Sequence, residues 1–149
     1  MVSLLDVQEI EISYKNNVPK ADRYIITCSQ DAYAVFLKAF HEKVEYKELF
    51  YIMMLNNSNE VLGITKISEA GITGTLVDTR IVFQTALKAH ATALILAHNH
   101  PSGKLEPSQA DKNLTSKLKT AGEYLDIKVL DHLIITKEGH LSFADDNLL

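Results

Sequence analysis

The feature that most constrains the fold is a continuous apolar run at residues 91–97, "ATALILA", which is followed by His98 and His100. An uninterrupted apolar run of this length is typical of a β-strand that is covered on both faces of a sheet. The chain supplies candidate covering helices on either side of the run, "TRIVFQTALKAH" before it and "SQADKNLTSKLKTAG" after it. The run therefore predicts an α/β protein with a central sheet between layers of helices.

The other elements extend this prediction to a three-layer α/β sandwich with a mixed central β-sheet flanked by helices. Strands and helices alternate in the middle of the chain, whereas hairpin patterns lie near both ends. Strands are predicted over 8–15, 23–27, 49–55, 60–67, 91–98, 127–136 and 141–143, and helices over 30–43, 79–90 and 109–125. Ser29, Asp78 and Ser108 are the expected helix N-caps. We expect one domain over residues 1–149, with N-terminal strands in residues 1–28.

Charge and cysteine content limit the classes of partner. The chain has 15 Lys and Arg against 19 Asp and Glu, and its basic residues are not clustered. Because duplex binding usually needs clustered cations, we do not expect direct binding to duplex DNA. Cys28 is the only cysteine, which excludes an internal disulfide and a cysteine-based zinc site. With neither a signal peptide nor a long apolar run, we expect a cytoplasmic protein without a membrane partner; a homo-oligomer is compatible with the sequence.

The loop after the apolar run combines residues that can bind a metal. In "AHNHPSGKLEPSQAD", at residues 97–111, His98 and His100 are two positions apart. On a strand such residues point to the same face, about 6.6 Å apart at Cα, so both imidazoles can reach one ion. Asp111, in the next helix's first turn, can add a third ligand and leave a fourth position for water, as in catalytic zinc sites. The alternative is a solvated loop in which Ser108 and Asp111 only cap the helix.

Two longer strings carry a family resemblance. "HNHPSGKLEPSQAD" resembles the His-x-His-x10-Asp signature of the JAB/MPN metalloprotease superfamily, also called JAMM, including its Ser-x-x-Asp ending. The string "ALILAHNHPSGKLEPSQADKNLTSKLKTAG", with "LDIKVLDHLIIT" and "LSFADDNLL" after it, resembles the bacterial RadC family within that superfamily. The resemblance runs from about Ser29 to the C-terminus. The segment before Ser29 is too short for the helix-hairpin-helix region of many RadC proteins, so we expect no such module.

The resemblance implies one zinc ion per chain, held by His98, His100 and Asp111. It also implies a glutamate that accepts a proton from the attacking water, and this residue maps to Glu48, just before "LFYIMML". Loss of solvent at the mouth of a buried strand would raise the pKa of that carboxyl. Glu45 and Glu69 are the alternatives to Glu48. Ser108 either donates to the developing oxyanion as well as capping its helix, or only caps it.

Asp131 and His132 form a polar pair inside an apolar strand. Orienting a ligand histidine is one role for such a residue. We prefer the alternative that both are structural, with their hydrogen bonds satisfied in the interior, and we leave both out of the catalytic set.

The resulting hypothesis is a zinc-dependent hydrolase of the JAMM type that cleaves a peptide or isopeptide amide bond in a protein or peptide substrate. The alternatives are a DNA-repair accessory protein and a non-catalytic metal-binding interaction module. A zinc nucleobase deaminase is excluded because it needs a Pro-Cys-x-x-Cys motif, and the chain has a single cysteine.

Overall fold

The computed structural model describes residues 7–70 and 76–149, with the side chain of Glu42 left out. The helices and strands within these residues are α1 Ser29–Phe40, β1 Leu49–Leu55, β2 Val61–Glu69, α2 Thr79–Lys88, β3 Ala93–Asn99, α3 Gln109–Tyr124, β4 Lys128–Ile135 and β5 His140–Ser142. Short 3₁₀ helices cover Lys20–Asp22 and His41–Glu45. Among these helices, none is both long and apolar enough to cross a membrane.

The five strands form one mixed sheet in the order β2-β1-β3-β4-β5. β1 is antiparallel to β2 and to β3, β3 is parallel to β4, and β4 is antiparallel to β5. The parallel pair is connected by α3, because a parallel connection needs a crossover that returns the chain to the same end of the sheet. The predicted α/β fold with a mixed central sheet is confirmed.

Alternate residues of the central strands pack on opposite faces of the sheet. Met53 and Ile95 face α1 in one buried cluster. Ile52 and Leu96 belong to a second cluster with residues of α2 and α3. All four side chains are at most 3% exposed, which makes helix, sheet and helix the three predicted layers. This arrangement covers β3 on both faces, as its continuous apolar run predicts.

The N-terminal strand predictions are wrong within the described residues. Residues 8–15 form no strand, and Ile10 and Ile12 are 86% and 72% exposed. Alternating apolar residues become a strand only when a neighbouring strand is present, and none of the strands in the described residues pairs with this segment. Of the strand predicted over 23–27, an isolated antiparallel bridge between Ile25 and Glu60 remains. Residues 1–6 of the same prediction lie outside the described residues.

Two of the three predicted N-caps are confirmed. Asp78 accepts a hydrogen bond from the backbone N–H of Arg80, and Ser108 caps α3. The prediction for Ser29 is wrong, because Cys28 is the N-cap of α1 and Ser29 is its first helical residue. The Ser29 hydroxyl instead donates to Asp145 at 2.6 Å.

Candidate metal centre

The end of β3 brings two imidazoles together. Nε2 of His98 lies 2.9 Å from Nε2 of His100, as expected for alternate residues on one face of a strand. Nδ1 of His100 lies 2.8 Å from the backbone oxygen of Lys104. Since a carbonyl only accepts, Nδ1 carries the proton there, and a neutral His100 presents the lone pair of Nε2 to the centre.

The first turn of α3 adds a carboxylate to the two imidazoles. Ser108 Oγ accepts from the backbone N–H of Asp111 at 3.0 Å, and Asp111 Oδ2 accepts from the backbone N–H of Ser108 at 2.8 Å. This reciprocal capping box fixes the orientation of the carboxylate. Asp111 Oδ1 then lies 3.3 Å from Nε2 of His98, and Oδ2 lies 3.4 Å from Nε2 of His100. Asp111, the N3 residue of the capping box, is therefore also the third candidate ligand.

The three side chains could hold a metal ion, since one donor atom from each lies within 4.8 Å of the other two. Ligand atoms at 2.0–2.1 Å from a tetrahedral zinc are about 3.3 Å apart, close to the separations between these side chains. Two imidazoles and a carboxylate suit zinc, and imidazole also binds iron and nickel. His98 is buried, whereas His100 and Asp111 are half-buried and leave one side of the group open.

The charges of the group favour an anionic carboxylate. Burial opposes the ionisation of Asp111, but the hydrogen bonds that His100 and His98 donate when their Nε2 atoms are protonated outweigh burial and hold the pKa of this carboxyl well below its usual range. The hydrogen bond to Asp111 in turn raises the pKa of His100, against the effect of burial. Asp111 is therefore ionised at neutral pH and presents a negative charge to a cation.

Of the three glutamates considered from the sequence, Glu48 is the one whose charge acts on the centre; it lies two residues before Phe50, which pairs with His98. Its negative charge is among the causes that raise the pKa of His100. Glu45 is directed instead to Lys137, with 3.8 Å between carboxylate and ammonium. Glu69 is bound by several lysines, the nearest at 2.8 Å.

Asn99 is a functional candidate that sequence reasoning missed. Its side chain is fully buried on the opposite face of β3 from the two histidines. Oδ1 accepts from the backbone N–H of Leu49 at 2.7 Å, and Nδ2 donates to the backbone oxygens of Val44 at 2.8 Å and Lys47 at 2.6 Å. The amide thus fastens the segment that carries Glu48 to the strand that carries the histidines. The signal was available, because a residue between two same-face ligands must point into the opposite layer.

The Asp131 and His132 pair divides into two different environments. Asp131 accepts hydrogen bonds from the Ser142 hydroxyl and from the backbone N–H groups of His132 and Ala144, which agrees with its predicted structural role. His132 contacts a candidate ligand, because its Nε2 lies 2.7 Å from Nδ1 of His98. Its Nδ1 lies 2.6 Å from Oγ1 of Thr115, a residue that sequence reasoning did not single out. Burial lowers the pKa of His132 far below its ordinary value, so this imidazole is neutral.

The fold and this group of residues correspond to a known class of domain. The sequence profile of the RadC-like JAB domain matches residues 26–148, and the chain belongs to this family. JAB/MPN domains include hydrolases, and the candidate metal centre lies inside the matched region.

Curated relatives carry the name UPF0758 protein. The chain is 51% identical to one from Flavobacterium johnsoniae over 123 residues, which cover 83% of this chain and 53% of the relative. It is 44% identical to one from Symbiobacterium thermophilum over 102 residues, 68% of this chain and 44% of the relative. A relative from Chlorobaculum parvum is 40% identical over 105 residues, 70% of this chain and 47% of the relative. The chain spans about half the length of the curated relatives it matches.

Proposed function

We propose that the protein is a zinc-dependent hydrolase of the JAMM type that cleaves a peptide or isopeptide amide bond in a protein or peptide substrate. The observation that carries this proposal is the convergence of His98, His100 and Asp111 at one point. The charge of Glu48, which acts on His100, supports its role as the proton carrier. Three protein ligands leave a tetrahedral position open, which is the arrangement of catalytic rather than structural zinc sites. The membership in the JAB family supports the same reaction class.

The reaction needs one group to move a proton and another to stabilise negative charge. Zinc, when bound, lowers the pKa of a bound water to about 7 and polarises a carbonyl. Glu48 accepts the proton of the attacking water and returns it to the leaving amine. The Ser108 oxygen accepts from the backbone N–H of Asp111, so its own O–H is free to donate to the oxyanion that develops on the substrate carbonyl.

The test separates the proton carrier from the ligands. In Glu48→Gln, the nearly isosteric amide cannot accept a proton, so we expect the variant to keep its zinc and lose about 10²–10⁴-fold in hydrolysis. Asp111→Asn removes the anionic ligand and should lower zinc content itself. Zinc is measured by elemental analysis, and hydrolysis by mass spectrometry of a peptide library. Glu45→Gln is the matched control, because this carboxylate pairs with Lys137 and should affect neither measurement.

Three results would contradict the proposal. Equal zinc content in wild type and in His98→Ala/His100→Ala would show that these histidines do not bind the metal. A metal-free Glu48→Gln would make Glu48 a ligand or a structural support. Zinc-loaded wild-type protein that cleaves neither peptides nor isopeptide-linked proteins would favour the non-catalytic metal-binding module.

A further inference from the structure

His132 links α3 to the candidate metal centre through an unbroken line of hydrogen bonds. The line runs from the backbone oxygen of Asp111 to the hydroxyl of Thr115 at 2.7 Å, and from that hydroxyl to Nδ1 of His132 at 2.6 Å. It continues from Nε2 of His132 to Nδ1 of His98 at 2.7 Å. Its two ends, Asp111 and His98, are both candidate ligands, so the line closes a ring of residues through the metal position.

The direction of each hydrogen bond follows from the number of protons available. The Thr115 hydroxyl has one proton, which it donates to the carbonyl of Asp111, so its oxygen can only accept from His132. Nδ1 of His132 therefore carries that imidazole's proton, and its Nε2 accepts. Nδ1 of His98 must then donate, which leaves Nε2 of a neutral His98 with the lone pair that a metal needs.

Packing prevents the His132 ring from leaving this line. The ring is fully buried and stacks on Phe143 with centroids 4.8 Å apart and an interplanar angle of 23°. Phe50 packs against it in a T-shaped arrangement with ring centroids 5.6 Å apart, and the same Phe50 ring stacks on His98 with centroids 6.4 Å apart. Aromatic neighbours pack against the rings of both His132 and His98. The property of these imidazoles that can still vary is which ring nitrogen carries the proton.

We propose that Thr115 and His132 are positioning residues that set the tautomer of His98, so that its Nε2 is unprotonated and available to the metal; this inference rests on the metal site proposed above. The Asp111 carbonyl determines the direction of every hydrogen bond in the line, because it accepts the only proton of the Thr115 hydroxyl. Without the Thr115 oxygen, a neutral His132 places its proton on Nε2 and donates to His98. His98 then carries a proton on its own Nε2, where the metal should bind.

The decisive variant is Thr115→Val, which keeps the shape of the side chain and removes the hydroxyl. We expect zinc affinity, measured by competition with a chromophoric chelator, to fall about 10–100-fold, the usual effect of losing a residue that orients a metal ligand. Thr115→Ser restores the hydroxyl and should bind zinc as wild type does. Thr85→Val is the matched control, because Thr85 makes the same bond to the carbonyl four residues before it but contacts no histidine of the centre.

Nitrogen NMR of the histidine side chains provides a readout that a purely structural role would not change. In metal-free wild type we expect the proton of His132 on Nδ1, and in Thr115→Val on Nε2. A wild-type proton on Nε2, or wild-type zinc affinity in Thr115→Val, would overturn the inference. If Thr115→Val does not fold, the wild-type tautomer decides alone. If wild type binds no zinc, the metal site fails, and the tautomer of His132 still tests the line of hydrogen bonds separately.

Discussion

Asn99 joins two parts of the chain that are distant in sequence and meet at the candidate centre. Its amide accepts from Leu49 and donates to Val44 and Lys47, so a single side chain satisfies three backbone groups of one segment. Buried backbone groups of this kind need partners, because an unpaired group loses its water without replacement. The amide therefore sets the position of Glu48 relative to the histidines.

Asn99→Leu should destabilise the protein strongly, because leucine has a similar volume and no hydrogen-bonding group. Each buried group left unpaired costs about 1–3 kcal/mol, so we expect the free energy of unfolding to fall by at least about 2 kcal/mol. Urea denaturation measures this loss. The control is Asn113→Leu, at an exposed position on α3. A free energy of unfolding within about 0.5 kcal/mol of wild type, the usual range for surface changes, would show that the amide does not hold the segment.

At this scale, the part of the centre that is local in sequence was predictable. His98 and His100 share a face because of the strand period, and Asp111 follows in the next helix's first turn. Thr115 and His132 meet through tertiary packing of α3 on β4, and no spacing rule relates them. The strand period directs Asn99 away from the histidines, but its partners lie about 50 residues earlier in the chain, so no local pattern predicts them.

Among the elements, β4 is hydrogen-bonded to β5 and to the C-terminal segment through the buried carboxylate of Asp131. Asp131 accepts from Ser142 at 2.6 Å and from the backbone N–H of Ala144 at 3.0 Å. Burial is the main cause that raises the pKa of Asp131, and the charge of Asp145 adds to it. The carboxylate is therefore harder to ionise in the folded than in the unfolded protein.

This pKa shift predicts a pH-dependent difference between wild type and Asp131→Asn. Since the folded pKa is raised, the contribution of Asp131 is full below its unfolded pKa, about 3.9, and is lost as pH rises through the folded value. The neutral amide does not share this loss, so the free energy of unfolding of Asp131→Asn should rise relative to that of wild type over a series of pH values from about 4 upward. Denaturant melts across this range measure the difference. Asp126→Asn, at an exposed turn, controls for net charge. A difference that stays constant with pH would contradict the prediction.

The sequence predicts an element correctly where its apolar periodicity coincides with residues that are buried in the fold. The strand predicted over 49–55 coincides with β1, and the helices before and after β3 were predicted to within a few residues. The segment 8–15 has the alternation of a strand, yet Ile10 and Ile12 remain exposed. Periodicity shows which face of a strand would be apolar, but whether another strand lies alongside is decided by tertiary structure.

At the scale of the whole molecule, the net charge indicates which class of partner the protein attracts. The chain carries a net charge of −4, so its overall field repels rather than attracts a phosphate backbone. This balance favours a protein or peptide substrate over nucleic acid for the proposed reaction.

We therefore expect weak binding to random duplex DNA at physiological salt, with a Kd weaker than about 1 μM, as for non-specific contacts. Fluorescence anisotropy of a labelled duplex measures it, and repeating the titration at low salt shows how much of any binding is electrostatic. A Kd tighter than about 1 μM would contradict this expectation and favour the DNA-repair accessory role.

The candidate ligands lie close together along the chain, since His98 and Asp111 are separated by 13 positions. The entropy lost on closing a loop grows only with the logarithm of its length. The loop between the two ligands has its ends held by β3 and α3, so the fold already closes it without a metal. Removing a metal would therefore take away its binding free energy without releasing a long stretch of chain. The Glu48 segment would stay attached through Asn99, so metal loss should open the connection locally and leave the sheet assembled.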